Sequence, residues 1–317
     1  MNYIEQAYKG RNDLIYYFAT LALVFVGWQI IGIIPLVAVA YYHAGSHSEF
    51  MAAAGNVFAT MGIDSNLYLF LMILTFAFAL LSLIIGVKYI HKRSVTSLVT
   101  ARKKIDWKRF FYAFGIWILI SFISVGIDYL FEPETFVWNF KPVPFLILLI
   151  ISLLFLPVQT SFEELLFRGY LMQGFGTLFK NAIYPLIITS LIFGMLHGFN
   201  PEVQKLGSII LIYYIATGLL FGIVTLMDDG TELALGMHAA NNVIAAVLVT
   251  SDWMVFQTDA LWVDVSEPSV GVETFFPVLV VYPIVIWVFS KKYNWNNWKS
   301  KLLADIKKPV SEEKDQF

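Results

Sequence analysis

Six polar side chains stand inside apolar runs of this sequence, in three groups: Glu163, Glu164 and Arg168; His197; and His238 with Asn242. An ionisable group in such surroundings is costly to bury and by default marks a functional site. On a helix Glu164 and Arg168 fall one turn apart on one face, so they can form a charge-neutral pair. Glu163 lies about 100° around the helix with no cation near it in sequence. A buried carboxylate without a partner holds its proton more tightly, which suits a general base or acid near neutral pH. Glu163 is therefore expected to do chemistry while Glu164 and Arg168 organise it. Taken alone, the same three residues fit a packing network or an interface anchor equally well.

His197 ends the run Phe193-Gly-Met-Leu-His197, and a turn is expected at Lys180–Asn181. Glu163 precedes that turn by 17 residues and His197 follows it by about as many. If helices flank the turn as an antiparallel pair, the two residues meet at one level and can hold a water between them. His238 and Asn242 share a helix face in a stretch of small residues that permits close helix approach. Together they could donate hydrogen bonds to a developing oxyanion. In a competing reading His197 and His238 bind zinc with a glutamate, but the tight His-Glu-x-x-His spacing is absent. No cofactor is required, and a divalent metal is not excluded. There is no cysteine, which removes thiolate chemistry and disulfides, and there is no Gly-x-Ser-x-Gly elbow. Asp128 reads as interfacial, and Asp228–Asp229 as a solvated turn.

The elements that must position these groups follow from composition. The chain has 317 residues, 58% hydrophobic and 14% charged, with a mean hydropathy of +0.71. Soluble domains carry about 25% charged residues, so a soluble enzyme, a disordered chain and a nucleic-acid binder are excluded. A helix crosses a bilayer with about 20 apolar residues. Eight runs qualify: Leu14–Tyr42, Leu67–Ile90, Phe110–Phe131, Val143–Phe167, Ala182–His197, Ile209–Met227, Leu233–Thr250 and Val272–Ser290. The expected fold is all-α, a polytopic bundle of about eight transmembrane helices over residues 1–290, with a motif core at 143–250. Eight basic residues lie between Lys88 and Arg109 and seven more from Lys291 to Lys314, whereas 42–66 and 251–271 have none. The positive-inside rule then puts both termini and the 88–109 loop in the cytoplasm. Trp253 and Trp262 fit an outer aromatic belt, and Trp107, Trp287, Trp295 and Trp298 an inner one. The basic tail 291–317 is partly amphipathic and is expected to lie on an anionic inner leaflet, with a soluble tail as the alternative.

Strict alternation of eight spans raises a conflict, because it puts Glu163 and His197 near opposite faces. Val143–Lys180 is too long for one straight span, about 57 Å at 1.5 Å per residue. A break at Pro157 is expected to resolve this, leaving Ser161–Phe179 as a tilted or partly re-entrant element.

Glu163-Glu164-Leu-Leu-Phe-Arg168-Gly-Tyr, Phe193-Gly-Met-Leu-His197 and His238-Ala-Ala-Asn-Asn242 resemble, in order and spacing, the three motifs of the CAAX protease and bacteriocin-processing family, also called CPBP or Abi. The motif region covers Phe162 to Asn242, with no departure at the motif residues. The resemblance implies a metal-independent intramembrane glutamate endopeptidase related to the Ras-converting CAAX endopeptidase. In it Glu163 and His197 activate water, His238 and Asn242 form the oxyanion hole, and Glu164 and Arg168 support the site. The partners implied are the lipid bilayer and a membrane-embedded or lipidated peptide or protein; the location implied is a bacterial plasma membrane. Some bacterial members are linked to bacteriocin self-immunity, so a non-proteolytic peptide-binding scaffold is the alternative, and a proton-coupled transporter is a third reading.

Overall fold

The computed structural model describes residues 2–309, without the side chains of residues 272 and 273. Eight helices form one bundle: α1 (Leu14–His43), α2 (Ser65–Ile90), α3 (Trp107–Phe131), α4 (Pro142–Phe179), α5 (Ile183–Phe199), α6 (Ser208–Asp228), α7 (Glu232–Val247) and α8 (Thr274–Lys292). All eight expected apolar runs contain a helix, the seventh ending in a strand at Val249–Thr250, but only six of the helices are long and apolar enough to cross a membrane. The two short ones are α5 and α7. Helix α7 has 16 residues, about 24 Å against a hydrocarbon core of about 30 Å. It is buried on nearly every face, from Leu233 to Val247, so it is the enclosed centre of the bundle rather than a lipid-facing span. Around it, Phe122, Ile123 and Ile127 of α3 and Leu146, Ile150 and Leu154 of α4 are exposed. A continuous apolar exterior of this kind needs lipid as its solvent. The protein is an integral, multi-pass membrane protein.

Helix α4 corrects the expected break. It runs unbroken for 38 residues through Pro157. A proline costs one backbone bond, which a packed membrane helix tolerates when its neighbours compensate. The irregularity comes later, as a π-helical stretch at Leu165–Leu171 immediately after the two glutamates. Single π turns inside α-helices are frequent at functional sites. The first half of α4 faces lipid, whereas every side chain from Glu164 to Tyr170 is buried. Close helix approach depends on glycine at two places. A Cβ at Gly218 of α6 would meet the Ser190 backbone of α5 at 3.0 Å, and one at Gly236 of α7 would meet the Phe110 carbonyl of α3 at 2.2 Å.

At one end of the bundle the expected turn forms. Lys180 takes the left-handed conformation and Asn181 Oδ1 accepts from Ile183 N at 2.8 Å, starting α5. At this same end, Asp228–Asp229 is not a solvated turn. Asp228 is buried and accepts from Arg102 at 3.0 Å, Arg109 at 2.5 Å and the Trp295 indole at 3.2 Å. Glu232, fully buried at the start of α7, pairs with Arg102 at 2.7 Å. Burial opposes the Arg102 charge, but Glu232 and Asp228 outweigh it and hold the guanidinium above its ordinary range. Asp229 pairs with Lys301 and accepts from the Tyr3 backbone N, so the segments before α1 and after α8 meet here. The segment after α8 is therefore built into the fold rather than laid out as an amphipathic helix. Trp295 and Ile306 are buried, only Trp298–Leu302 is helical among the described residues after α8, and Ile306 N bonds the Lys180 carbonyl. Lys314 lies outside the described residues.

A small three-stranded sheet closes the opposite end. The order is β1 (Phe136–Trp138), β3 (Trp262–Asp264), β2 (Val249–Thr250); β1 pairs antiparallel to β3 with Val137 opposite Val263, and β2 runs parallel to it. Asp128 is exposed in the last turn of α3 at this end, as an interfacial residue would be.

Candidate active site

Unbroken α4 resolves the conflict over depth. Glu163 stands about 24 Å of helix from Phe179, and His197 about 21 Å from Ile183 at the start of α5, at 1.5 Å rise per residue. Because α4 is long and α5 is short, both residues reach the interior of the bundle at similar levels. Helix α7 brings His238 between the two glutamates.

The geometry centres on that imidazole. His238 Nδ1 lies 2.8 Å from Glu164 Oε1, and its Nε2 lies 3.7 Å from Glu163 Oε2. A carboxylate only accepts, so Nδ1 carries the proton in the bond to Glu164. Glu164 Oε1 also accepts from Arg168 Nη1 at 3.0 Å, and both side chains are wholly buried. The Arg168 guanidinium donates on to the Gly218 carbonyl at 3.2 Å and lies 4.2 Å from the Phe193 ring centre. The pair expected from sequence is thus present on α4, and it reaches a second helix through His238 and a third through Gly218.

Glu163 is 13% exposed and is not the partnerless carboxylate expected from its sequence surroundings. Gln159, one turn earlier on α4, donates Nε2 to Glu163 Oε1 at 2.6 Å and accepts from Asn242 Nδ2 at 3.0 Å. Asn242 in turn accepts from Asn241, which accepts from the Trp117 indole of α3 at 3.2 Å. Gln159 was outside every motif; its i,i+4 spacing to Glu163 was the available signal.

His197 Nδ1 lies 2.7 Å from the Phe193 carbonyl, which can only accept, so in the neutral ring Nε2 keeps the lone pair. The ring is sandwiched between Phe193, at 4.5 Å, and Tyr214, stacked at 4.4 Å and 23°. His197 lies within electrostatic reach of Glu163 and His238. No direct hydrogen bond or ion pair joins it to Glu163 among the described residues. The oxyanion assignment is modified by these contacts. His238 has committed Nδ1 to Glu164 and Asn242 one amide hydrogen to Gln159, so His238 Nε2 and the second Asn242 amide hydrogen are what remain for a ligand. Among the described residues no three His, Asp or Glu side chains converge with metal-ligand geometry.

No solved structure matches this chain. An uncharacterised protein of Bacillus subtilis (strain 168), YyaK, is 29% identical over 301 residues, covering 92% of this chain and 97% of its own. Residues 142–244, from the start of α4 into α7, match the family described as type II CAAX prenyl endopeptidase Rce1-like. That segment contains all three polar groups, so the resemblance read from their spacing is borne out by its similarity to the Rce1-like family.

Proposed function

We propose that this protein is an intramembrane endopeptidase that hydrolyses a peptide bond of a membrane-embedded or lipidated peptide, using water activated by Glu163 and His197. The observation that carries the reading is His238 held between Glu163 and Glu164 inside the bundle. Two carboxylates beside Arg168 leave one negative charge, and a doubly protonated His238 brings the group to neutrality. A neutral constellation in a low-dielectric interior can carry transient charge without a standing penalty.

In this mechanism Glu163 Oε2, the oxygen Gln159 leaves free, and His197 Nε2 accept the two hydrogens of one water. Its oxygen forms a bond to the scissile carbonyl carbon while a proton passes to Glu163. The oxyanion accepts from His238 Nε2–H and the second amide hydrogen of Asn242. The C–N bond then breaks as Glu163 returns the proton to the leaving amine, regenerating the carboxylate. None of these steps needs a metal; elemental analysis, with activity measured after chelation, tests that choice.

The orientation proposed is both termini and the 88–109 loop in the cytoplasm of a bacterial plasma membrane. It is supported by the basic residues there and by the junction of the segments before α1 and after α8 at Asp229. The test is purified protein in lipid vesicles, supplied with CAAX-type peptides with and without a prenyl group, products being read by mass spectrometry. Cleavage by wild type and none by Glu163→Ala or His197→Ala is the expected result. Cleavage retained by either folded variant removes the assignment, and no cleavage of any peptide by wild type leaves peptide binding rather than hydrolysis as the function.

A further inference from the structure

Gln159 belongs to none of the three motifs, yet it is the only side chain that touches both Glu163 and Asn242 among the described residues. We propose that Gln159 is a positioning residue that fixes the water-activating carboxylate relative to the oxyanion-side amide. This inference rests on the peptidase reading for its consequence, though not for the contact itself.

The chain of bonds has only one possible sense. Indole N–H is donor-only, so Trp117 turns the carbonyl of Asn241 toward itself. Asn241 must then present its NH₂ to Asn242 Oδ1, at 3.1 Å. That leaves the Asn242 NH₂ to meet Gln159 Oε1, at 3.0 Å, and the Gln159 NH₂ to meet Glu163, at 2.6 Å. The far end is a carboxylate, which is acceptor-only when ionised. A donor-only group at one end and an acceptor-only group at the other orient all three amides between them, removing the usual two-fold ambiguity of such groups. Trp117 and Asn242 are buried, and Trp117 sits on α3, Asn241 and Asn242 on α7, and Gln159 and Glu163 on α4. Three helices are thereby held in register at the site.

Two consequences follow for the chemistry. Gln159 occupies Oε1 of Glu163, so the oxygen facing His238 is the one left to take a proton. It also takes one hydrogen of the Asn242 amide, which aims the other away from the chain. A residue at 159 must donate to one neighbour and accept from the other, and glutamine does both. A glutamate there does so only while protonated.

The test uses full-length Gln159→Leu and Gln159→Glu in lipid vesicles. The first readout is infrared: the Glu163 carboxylate stretch, identified by its disappearance in Glu163→Gln, is expected to move in Gln159→Leu. The second is kinetic. Gln159→Leu should lower kcat about tenfold to a hundredfold, with KM within about twofold. Gln159→Glu should approach wild-type rates at low pH and lose activity as pH rises and the introduced carboxyl gives up its proton, a limb absent from the wild type. Because it is nearly isosteric, this variant also serves if Gln159→Leu does not fold. An unmoved Glu163 band overturns the proposal whatever the peptidase does. A Gln159→Glu profile parallel to wild type at every pH also overturns it, reducing Gln159 to packing. A moved band with no cleavage by wild type keeps the positioning contact and sinks the peptidase reading alone.

Discussion

Replacing Arg168 and Glu164 singly and together separates what this pair does for stability from what it does for function. The two groups are 3.0 Å apart with no exposed surface, so their mutual attraction at an effective dielectric of about 20 is about 5 to 6 kcal/mol. Desolvating both charges cancels much of that, so the pair is worth little against a well-packed apolar substitute. Removing one partner is different, because it leaves a buried charge uncompensated at about 3 to 5 kcal/mol. Arg168→Met is expected to lose that amount, since Glu164 then keeps only the His238 bond and the Gly218 carbonyl loses its donor. The double variant Glu164→Leu/Arg168→Met should recover most of it. It should nevertheless be inactive, because His238 has lost the acceptor that fixes its tautomer. The assay is a double-mutant cycle on unfolding in mixed micelles, run beside peptide cleavage. Stability losses in the two single variants that simply add in the double variant would refute the reasoning, as would cleavage by the double variant at wild-type rate.

The remaining expectations concern both ends of the bundle. Glu202, in the short helix Pro201–Leu206 beyond His197, accepts from Val255 N at 2.9 Å and ties the loop after β2 to the connection between α5 and α6. Burial pushes its carboxyl up, outweighing that N–H, so the folded chain holds the proton more tightly than the unfolded one. Stability is then lost as pH rises from the ordinary glutamate value of 4.5 through the raised folded value. Glu202→Gln keeps the acceptor without the charge, so its Tm advantage over wild type should grow between about pH 4 and pH 7; an advantage that shrinks over that range contradicts the sign. Glu232→Ala leaves Arg102 with Asp228 as its remaining carboxylate partner and should cost about 1 to 3 kcal/mol, measured by thermal unfolding in detergent. Trp295→Ala should release the segment after α8, seen as faster proteolytic cutting near Lys299–Lys308 with the bundle intact; unchanged cutting would mean that the indole does not hold it.

The polar groups of the candidate site were legible because ionisable residues in apolar runs have almost no innocent explanation. That Glu163 and His197 reach similar levels was legible because equal spacing about a turn fixes level in an antiparallel hairpin. The means of reaching that level was misjudged at Pro157, whose local penalty is overridden in a packed helix; the π turn after Glu164 left no sequence mark. Asp228 looked solvated because its partners, Arg102 and Arg109, are more than a hundred residues away. The same distance hid the contact between His238 and Glu164, which depends on how α7 meets α4. Helices α5 and α7 counted as spans by apolarity; α5 is apolar but short, and in α7 burial within protein selects for apolarity just as lipid does. Trp295 and Trp298 looked like an interface belt because sequence does not distinguish a tryptophan at a lipid surface from one folded back onto the bundle.

The central claim is that Glu163 and His197 deliver water directly to the peptide carbonyl. A single turnover in oxygen-18 water, with products and the Glu163 peptide both weighed, tests it most directly. The account predicts one oxygen-18 in the new carboxyl terminus on the first turnover, none on Glu163, and no product from Glu163→Gln. Label recovered on Glu163 with an unlabelled first product would mean attack by the carboxylate itself, and product from Glu163→Gln would mean that the residue is not the base; either result contradicts the account.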